Sequence, residues 1–327
     1  MLRLIKILEF IAQYCLKISP RERVLLLSDT YAASMRLAQY LFEIALSMGA
    51  DAVLMVMPPF QVSGQEPPNL VASAMKGSQA VIFVTQGFGP GHSQARVEAN
   101  QAGARVAHLV DITEEHLLNI NLNLMLEDLR VIEARTLKLA DMLTAAKTAH
   151  VRSSIGTELS MSLHGRTAIA LYPTSGKGLY GVPDYAEAAI APVEGSAEGL
   201  VVVDGSIPGW QTPLSEPLRW KVERGIVTDI QGSAKAVERL TKTLDTDANG
   251  RNVAELGIGT SHLVSRDIQG KRPDAAIIGT AHVGLGKNSS IGGKTDCRVH
   301  LDGVFTGITR LELDGVAVIE NEVLMVQ

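Results

Sequence analysis

Four short apolar runs recur between Arg23 and Asp111: "RVLLLSD", "DAVLMVM", "AVIFVTQ" and "RVAHLVD". Each is strand-length and rich in aliphatic residues, so each reads as a strand, "RVLLLSD" as a buried one. Helix-like segments lie between them, over about 32–48 and in "PPNLVASAMKG", and a longer helical stretch covers about 124–149. Strands that alternate with helices pair in parallel, because a parallel crossover needs a dozen or more residues. The first half is therefore expected to be a Rossmann-like parallel sheet with helices on its faces.

The second half changes character. "HVRSSIGTELSMSL", "TAIALYP", "GLVVVDGSI", "LRWKVERGIVTDIQG" and "TRLELDGVAVIENEVLMV" are strand-rich and punctuated by Gly and Pro. "ERGI" and "LDGV" read as hairpin turns, and one helix is expected over about 234–244. The chain thus divides into an α/β N-terminal domain, 1–150, and a strand-rich α+β domain, 151–327.

Net charge is −5, which gives no basic footprint for nucleic acid or an anionic membrane. Cys15 and Cys297 are too few and too far apart for a disulfide framework or a cysteine-type zinc site, and a reducing cytoplasm fits them. Lys6, Glu9 and Gln13 interrupt the apolar first segment, so a docked amphipathic helix is expected there rather than a signal peptide. No G-x-G-x-x-G follows the first strand. "GFGPGH" reads as a plain loop or a pocket lining, and "TSGKG" lacks the first glycine of a phosphate loop and reads as a flexible loop.

The chemistry concentrates in three stretches. In "RVHLDGV", His300 and Asp302 flank Leu301, and residues two apart on a strand share a face. In "GTAHVGLGKN", His282 is followed at two and four residues by Gly284 and Gly286. In "AELGIGT", Glu255 is followed in the same way by Gly257 and Gly259. Glycine weakens a strand, so such runs mark a close approach by a ligand or another backbone. An imidazole and carboxylates on one open face can hold a divalent ion. By spacing alone, hydrogen-bonded core histidines, a salt-bridged Glu255 and bulge glycines remain equally open. His262 falls in a loop, and His92, His108, His116, His150 and His164 read as structural.

"AELGIGT", "GTAHVGLGKN", "IGG" and "HLD" resemble the aminopeptidase T family, the thermophilic-type, leucyl aminopeptidase-like metallo-aminopeptidases. The resemblance implies one or two divalent ions (Zn, Mn, Co or Fe) held by Glu187 in "EAAIAP", Glu255, His282, His300 and Asp302. Glu255 or Glu187 would bridge the metals or accept a proton from a metal-activated water. The family's tyrosine ligand is replaced: "KNSS" stands there, with Ser289 at its position and Asn288 beside it. The implied protein is a cytoplasmic homodimeric hydrolase of a peptide or small amide. Asp184 or Glu216 would hold the substrate amine, and Trp210 and Trp220 would wall a pocket or pack at an interface.

A second, more distant resemblance is to the 2,5-dihydroxypyridine dioxygenases, which open an aromatic ring at a mononuclear Fe(II). Their two-histidine, one-aspartate site has its first histidine where this chain has Glu255, and lacks counterparts of Glu187 and His282. A non-catalytic metal-binding or ligand-binding relative is the third reading.

Overall fold

The computed structural model describes residues 2–119, 126–174, 178–181 and 185–326. The chain forms two compact units, one of residues 1–133 and 171–185, the other of 134–170 and 186–327. The strand that crosses the expected border at His150 lies within the second unit, and a short segment after it returns to the first.

The first unit is wound as α1 (Leu2–Phe10), β1 (Arg23–Asp29), α2 (Ala32–Ser47), β2 (Asp51–Met57), α3 (Asn69–Gly77), β3 (Ala80–Thr85), α4 (Gln94–Gln101), β4 (Arg105–Val110) and α5 (Glu114–Asn119). α6 (Leu126–Ala145) leads out of it. The expected helix over 124–149 overran the end of α6, because Thr148–Ser153 form the next strand. β1–β4 pair in parallel in the order β2-β1-β3-β4, as the Rossmann-like expectation requires. β1 and β3 are buried on both faces, which is why they read as unbroken apolar runs. α2 buries Leu37, Ala38, Leu41 and Ala45, one stripe at helical spacing. No described helix is long and apolar enough to cross a membrane.

The strands that follow are β5 (Thr148–Ser153), β6 (Glu158–Ser162), β7 (Ile169–Leu171), β8 (Gly178–Gly181), β9 (Glu187–Ile190), β10 (Glu198–Val203), β11 (Leu218–Glu223) and β12 (Ile226–Gln231). After them come α7 (Ala234–Leu244), β13 (Val253–Gly259), β14 (Ala281–Gly286), β15 (His300–Phe305), β16 (Ile308–Leu313), β17 (Val316–Glu320) and β18 (Val323–Leu324). β8 joins the parallel sheet beside β4. The others form an eight-stranded sheet, β12-β11-β10-β6-β5-β16-β17-β18, and a five-stranded sheet, β15-β14-β13-β9-β7. The hairpins expected at "ERGI" and "LDGV" are present. Arg224 and Gly225, and Asp314 and Gly315, all have positive φ, as a tight two-residue hairpin turn requires.

One apolar core serves both sheets: Val201, Val203 and Leu311 come from the larger, and Leu256, Ile258, Val283 and Leu285 from the smaller. Trp220 is fully buried in that core, with its ring against Gly303, so it walls no pocket. A side chain at 303 would collide with the indole. The smaller sheet therefore has one greasy face, turned to the core, and one face left for chemistry.

A buried carboxylate and imidazole cluster

The chemical face of the smaller sheet is set by register. β13 pairs antiparallel with both β14 and β9, and β14 pairs with β15. All five candidate residues point from this one face, and each stands directly opposite a glycine. His282 faces Gly257, Glu255 and Asp302 both face Gly284, Glu187 faces Gly259, and His300 faces Gly286.

Two of these glycines clear room for the candidate donors themselves. A Cβ on Gly257 would fall inside the His282 ring. A Cβ on Gly284 would stand 2.8 Å from the Glu255 Cβ and 3.1 Å from both Asp302 Oδ1 and His300 Cε1. The space beside His282 thus comes from its cross-strand neighbour, not from the glycines that follow it in sequence. The other two glycines admit backbone. Gly259 lets the segment at Ala276–Ile277 lie on the sheet, and Gly286, at φ 96°, lets the segment before His300 pass close by.

A bulge completes the alignment. Val253 pairs with Leu285 and Glu255 with Gly284, so two steps along β13 match one along β14. Without the extra residue, Glu255 would share the face of Val253, which lies in the apolar core. The bulge turns it to the chemical face.

Glu187, Glu255, His282, His300 and Asp302 are all buried, at 1–5% exposure. His300 Nε2 stands 3.0 Å from Asp302 Oδ1 and 3.2 Å from Glu255 Oε2. His282 Nε2 stands 3.6 Å from Glu187 Oε2 and 3.7 Å from Glu255 Oε1. Glu255 thus lies between two groups, one with His300 and Asp302, the other with His282 and Glu187. The Lys287 carbonyl accepts from His300 Nδ1 at 2.7 Å, which leaves Nε2 for the carboxylates. Among the described residues, neither ring nitrogen of His282 has a hydrogen-bond partner, and neither does Glu255 Oε2. Buried polar atoms are rarely left so.

These features fit a divalent metal ion. Donors bound at about 2.1 Å in tetrahedral or octahedral geometry stand roughly 3.0–3.4 Å apart, close to the spacings seen here. An ion beside His300 and Asp302 would satisfy the orphaned Glu255 Oε2, and mixed imidazole and carboxylate donors suit Zn, Mn, Co or Fe. The absence of cysteine from the cluster excludes a closed thiolate site.

The electrostatics point the same way. Burial pulls the His300 pKa down, but Asp302 and Glu255 more than offset it and push it up to about 10. His282 is likewise raised despite burial, by Glu255, Glu187 and Asp302. Burial works to raise Glu255 and Asp302, yet the imidazoles hold both below the usual carboxylate range. A metal ligand must be neutral imidazole. Metal uptake at pH 7 is therefore expected to release about one to two protons per ion. The release should shrink, and affinity level off, as pH rises toward 10 and His300 loses its proton unaided. Calorimetric titration in buffers of different ionisation enthalpy measures this, and a buffer-independent heat at pH 7 would contradict it.

One member of the site gave no signal in the sequence reading. Arg272 opens a short 3₁₀ turn, Arg272–Ala276, and donates through Nη1 to Asp302 Oδ2 at 2.8 Å and through Nη2 to Glu187 Oε1 at 3.4 Å. The turn is fastened by buried Asp274, which accepts from Ser206 Oγ at 2.7 Å and from the amides of Gln269, Gly270 and Lys271.

Other expected residues lie elsewhere. Ser289 is exposed, in a turn, and donates to Asp296. Asn288 is buried and donates to Glu194, holding the loop rather than the cluster. Glu216 is exposed, and Trp210 stacks under Arg239 at 4.3 Å. Asp184 lies outside the described residues.

A search of curated protein sequences found no match. Two solved structures share the fold. The 2,5-dihydroxypyridine dioxygenase of Pseudomonas putida KT2440 is 20% identical, with a TM-score of 0.78, over 98% of this chain and 96% of that one. Wild-type AmpT of Thermus thermophilus is 18% identical, with a TM-score of 0.65, over 99% of each chain. The expected aminopeptidase T relationship thus holds for the fold, while the family match is to the more distant of the two resemblances. A family model for NicX, 2,5-dihydroxypyridine 5,6-dioxygenase, matches residues 4–326, and the chain belongs to that family.

Proposed function

We propose that the protein is a metal-dependent dioxygenase that opens the ring of a small hydroxylated aromatic heterocycle. The family match over nearly the whole chain carries this reading. It displaces peptide or amide hydrolysis as the leading reading. In the proposed site His300, Asp302 and Glu255, one imidazole and two carboxylates, would hold a single Fe(II). When bound, that ion supplies the redox chemistry that lets dioxygen react with an aromatic ring.

The chain's own residues do the rest. The Lys287 carbonyl fixes the His300 ring so that Nε2 faces inward. His282 and Glu187, 3.6 Å apart, form a buried pair able to take a proton from a substrate hydroxyl. The apolar side of the sheet keeps bulk water from the back of the site.

The hydrolase reading keeps one specific support: five residues of the aminopeptidase T pattern lie on one face. The two readings separate in one experiment. Protein loaded anaerobically with Fe(II) is expected to consume oxygen when given 2,5-dihydroxypyridine, with loss of the ring's ultraviolet band. Protein loaded with Zn, Mn or Co is expected to leave aminoacyl 4-nitroanilides intact. Nitroaniline release without oxygen uptake would reverse the assignment. The homodimer implied by the aminopeptidase resemblance belongs to the proposal and is read by sedimentation.

A further inference from the structure

Five donors are more than one ion needs. The group Glu187, Glu255 and His282 is by itself close enough to hold an ion, with its donor atoms within 4.8 Å of one another. Glu255 also reaches His300. On donors alone the face could take two cations sharing Glu255. Arg272 bears on that count.

Its guanidinium forks across the sheet, from Asp302 on β15 to Glu187 on β9. It takes the outer oxygen of each carboxylate. The inner oxygens, Asp302 Oδ1 and Glu187 Oε2, are left facing His300 and His282. Each carboxylate thereby has one oxygen on the guanidinium and one turned toward the imidazoles. Charge points the same way. Three carboxylates and Arg272 leave a net −2 when both imidazoles are neutral. One divalent ion neutralises that charge, and a second would leave +2 in a buried site, where unbalanced charge is costly. Arg272 is itself largely enclosed, at 18% side-chain exposure, so water screens it poorly. Its place is built in by the Asp274-fastened turn and by Gly259, whose missing side chain lets that turn lie on the sheet.

We infer that Arg272 stands in for the second cation and sets the capacity of the site at one divalent ion per chain, so that its removal opens a second metal position at Glu187, His282 and Glu255. The inference rests on reading the cluster as a metal site.

The test is metal stoichiometry by anaerobic equilibrium dialysis against Mn(II), followed by elemental analysis. The wild-type chain is expected to bind one ion. Arg272→Gln, which removes the charge, is expected to bind two, the second at least tenfold more tightly than any second ion on wild type. Arg272→Lys keeps the charge and is expected to bind one. Two ions on wild type, one on Arg272→Gln, or two on Arg272→Lys would each overturn the inference. No ion on wild type would instead overturn the metal reading beneath it. A second measurement needs no variant: the Mn(II) electron paramagnetic resonance spectrum of wild type in excess metal is expected to be that of isolated ions. An exchange-coupled pair would overturn the inference.

Discussion

Gly257→Ala is expected to weaken metal binding while the fold survives. The new methyl would occupy the volume of the His282 imidazole, which is buried and cannot swing to solvent. Overpacking of this kind costs about 1–3 kcal/mol, a fraction that a domain of this size tolerates. The metal site should suffer as well, because a displaced side chain shifts the donors around it. We expect a roughly 10–100-fold weaker apparent affinity, the loss typical of disturbing a residue that supports the ligands. Elemental analysis of purified protein, with far-ultraviolet circular dichroism as the fold control, measures it. Gly77→Ala is a suitable control, because a Cβ there meets nothing within 4 Å and its backbone is not left-handed. Metal content equal to wild type in Gly257→Ala would show that His282 has room the structure does not give it.

His300→Ala should be more severe, because it acts on two states of the protein. With metal present it deletes a donor that stands within 3.2 Å of both Glu255 and Asp302. Without metal it removes the imidazole that compensates those two buried carboxylates. Breaking a buried charge pair on one side costs about 3–5 kcal/mol, because the remaining charge is left uncompensated. The expected result is loss of stoichiometric metal together with a clear drop in stability. A thermal melt separates the two effects. Ligands that bind only the folded state stabilise it by mass action, so added metal should raise the wild-type midpoint and leave that of His300→Ala unmoved. A metal-dependent rise in the variant would refute the assignment of His300.

Much of this architecture could be read from the chain. Continuous apolar runs such as "RVLLLSD" announce strands buried on both faces, and α7 was bounded at 234–244 by its strong amphipathic period. α4 was missed because "QARVEANQ" has almost no apolar stripe, and α5 because six residues are too few to show a period. The candidate ligands were legible because strand alternation is strict: His300 and Asp302 must share a face. Arg272 was not, since it acts from a turn whose position depends on Asp274, Ser206 and a missing side chain at 259. No local pattern encodes that contact. The bulge before Glu255 was hidden too, because Ala254 looks like any other strand residue.

The pairing of each candidate donor with a glycine has a consequence for how this protein can drift. Comparisons between relatives usually weigh the donors and treat glycines as filler. Here Gly257 and Gly284 are as tightly committed as the donors they face, and Gly259 and Gly286 hold open the paths of Arg272 and His300. A descendant that kept every donor but gained one methyl at 257 would look intact on paper and have lost its chemistry. The stretch of sequence exposed to inactivating change is nearly twice as large as the list of donors implies.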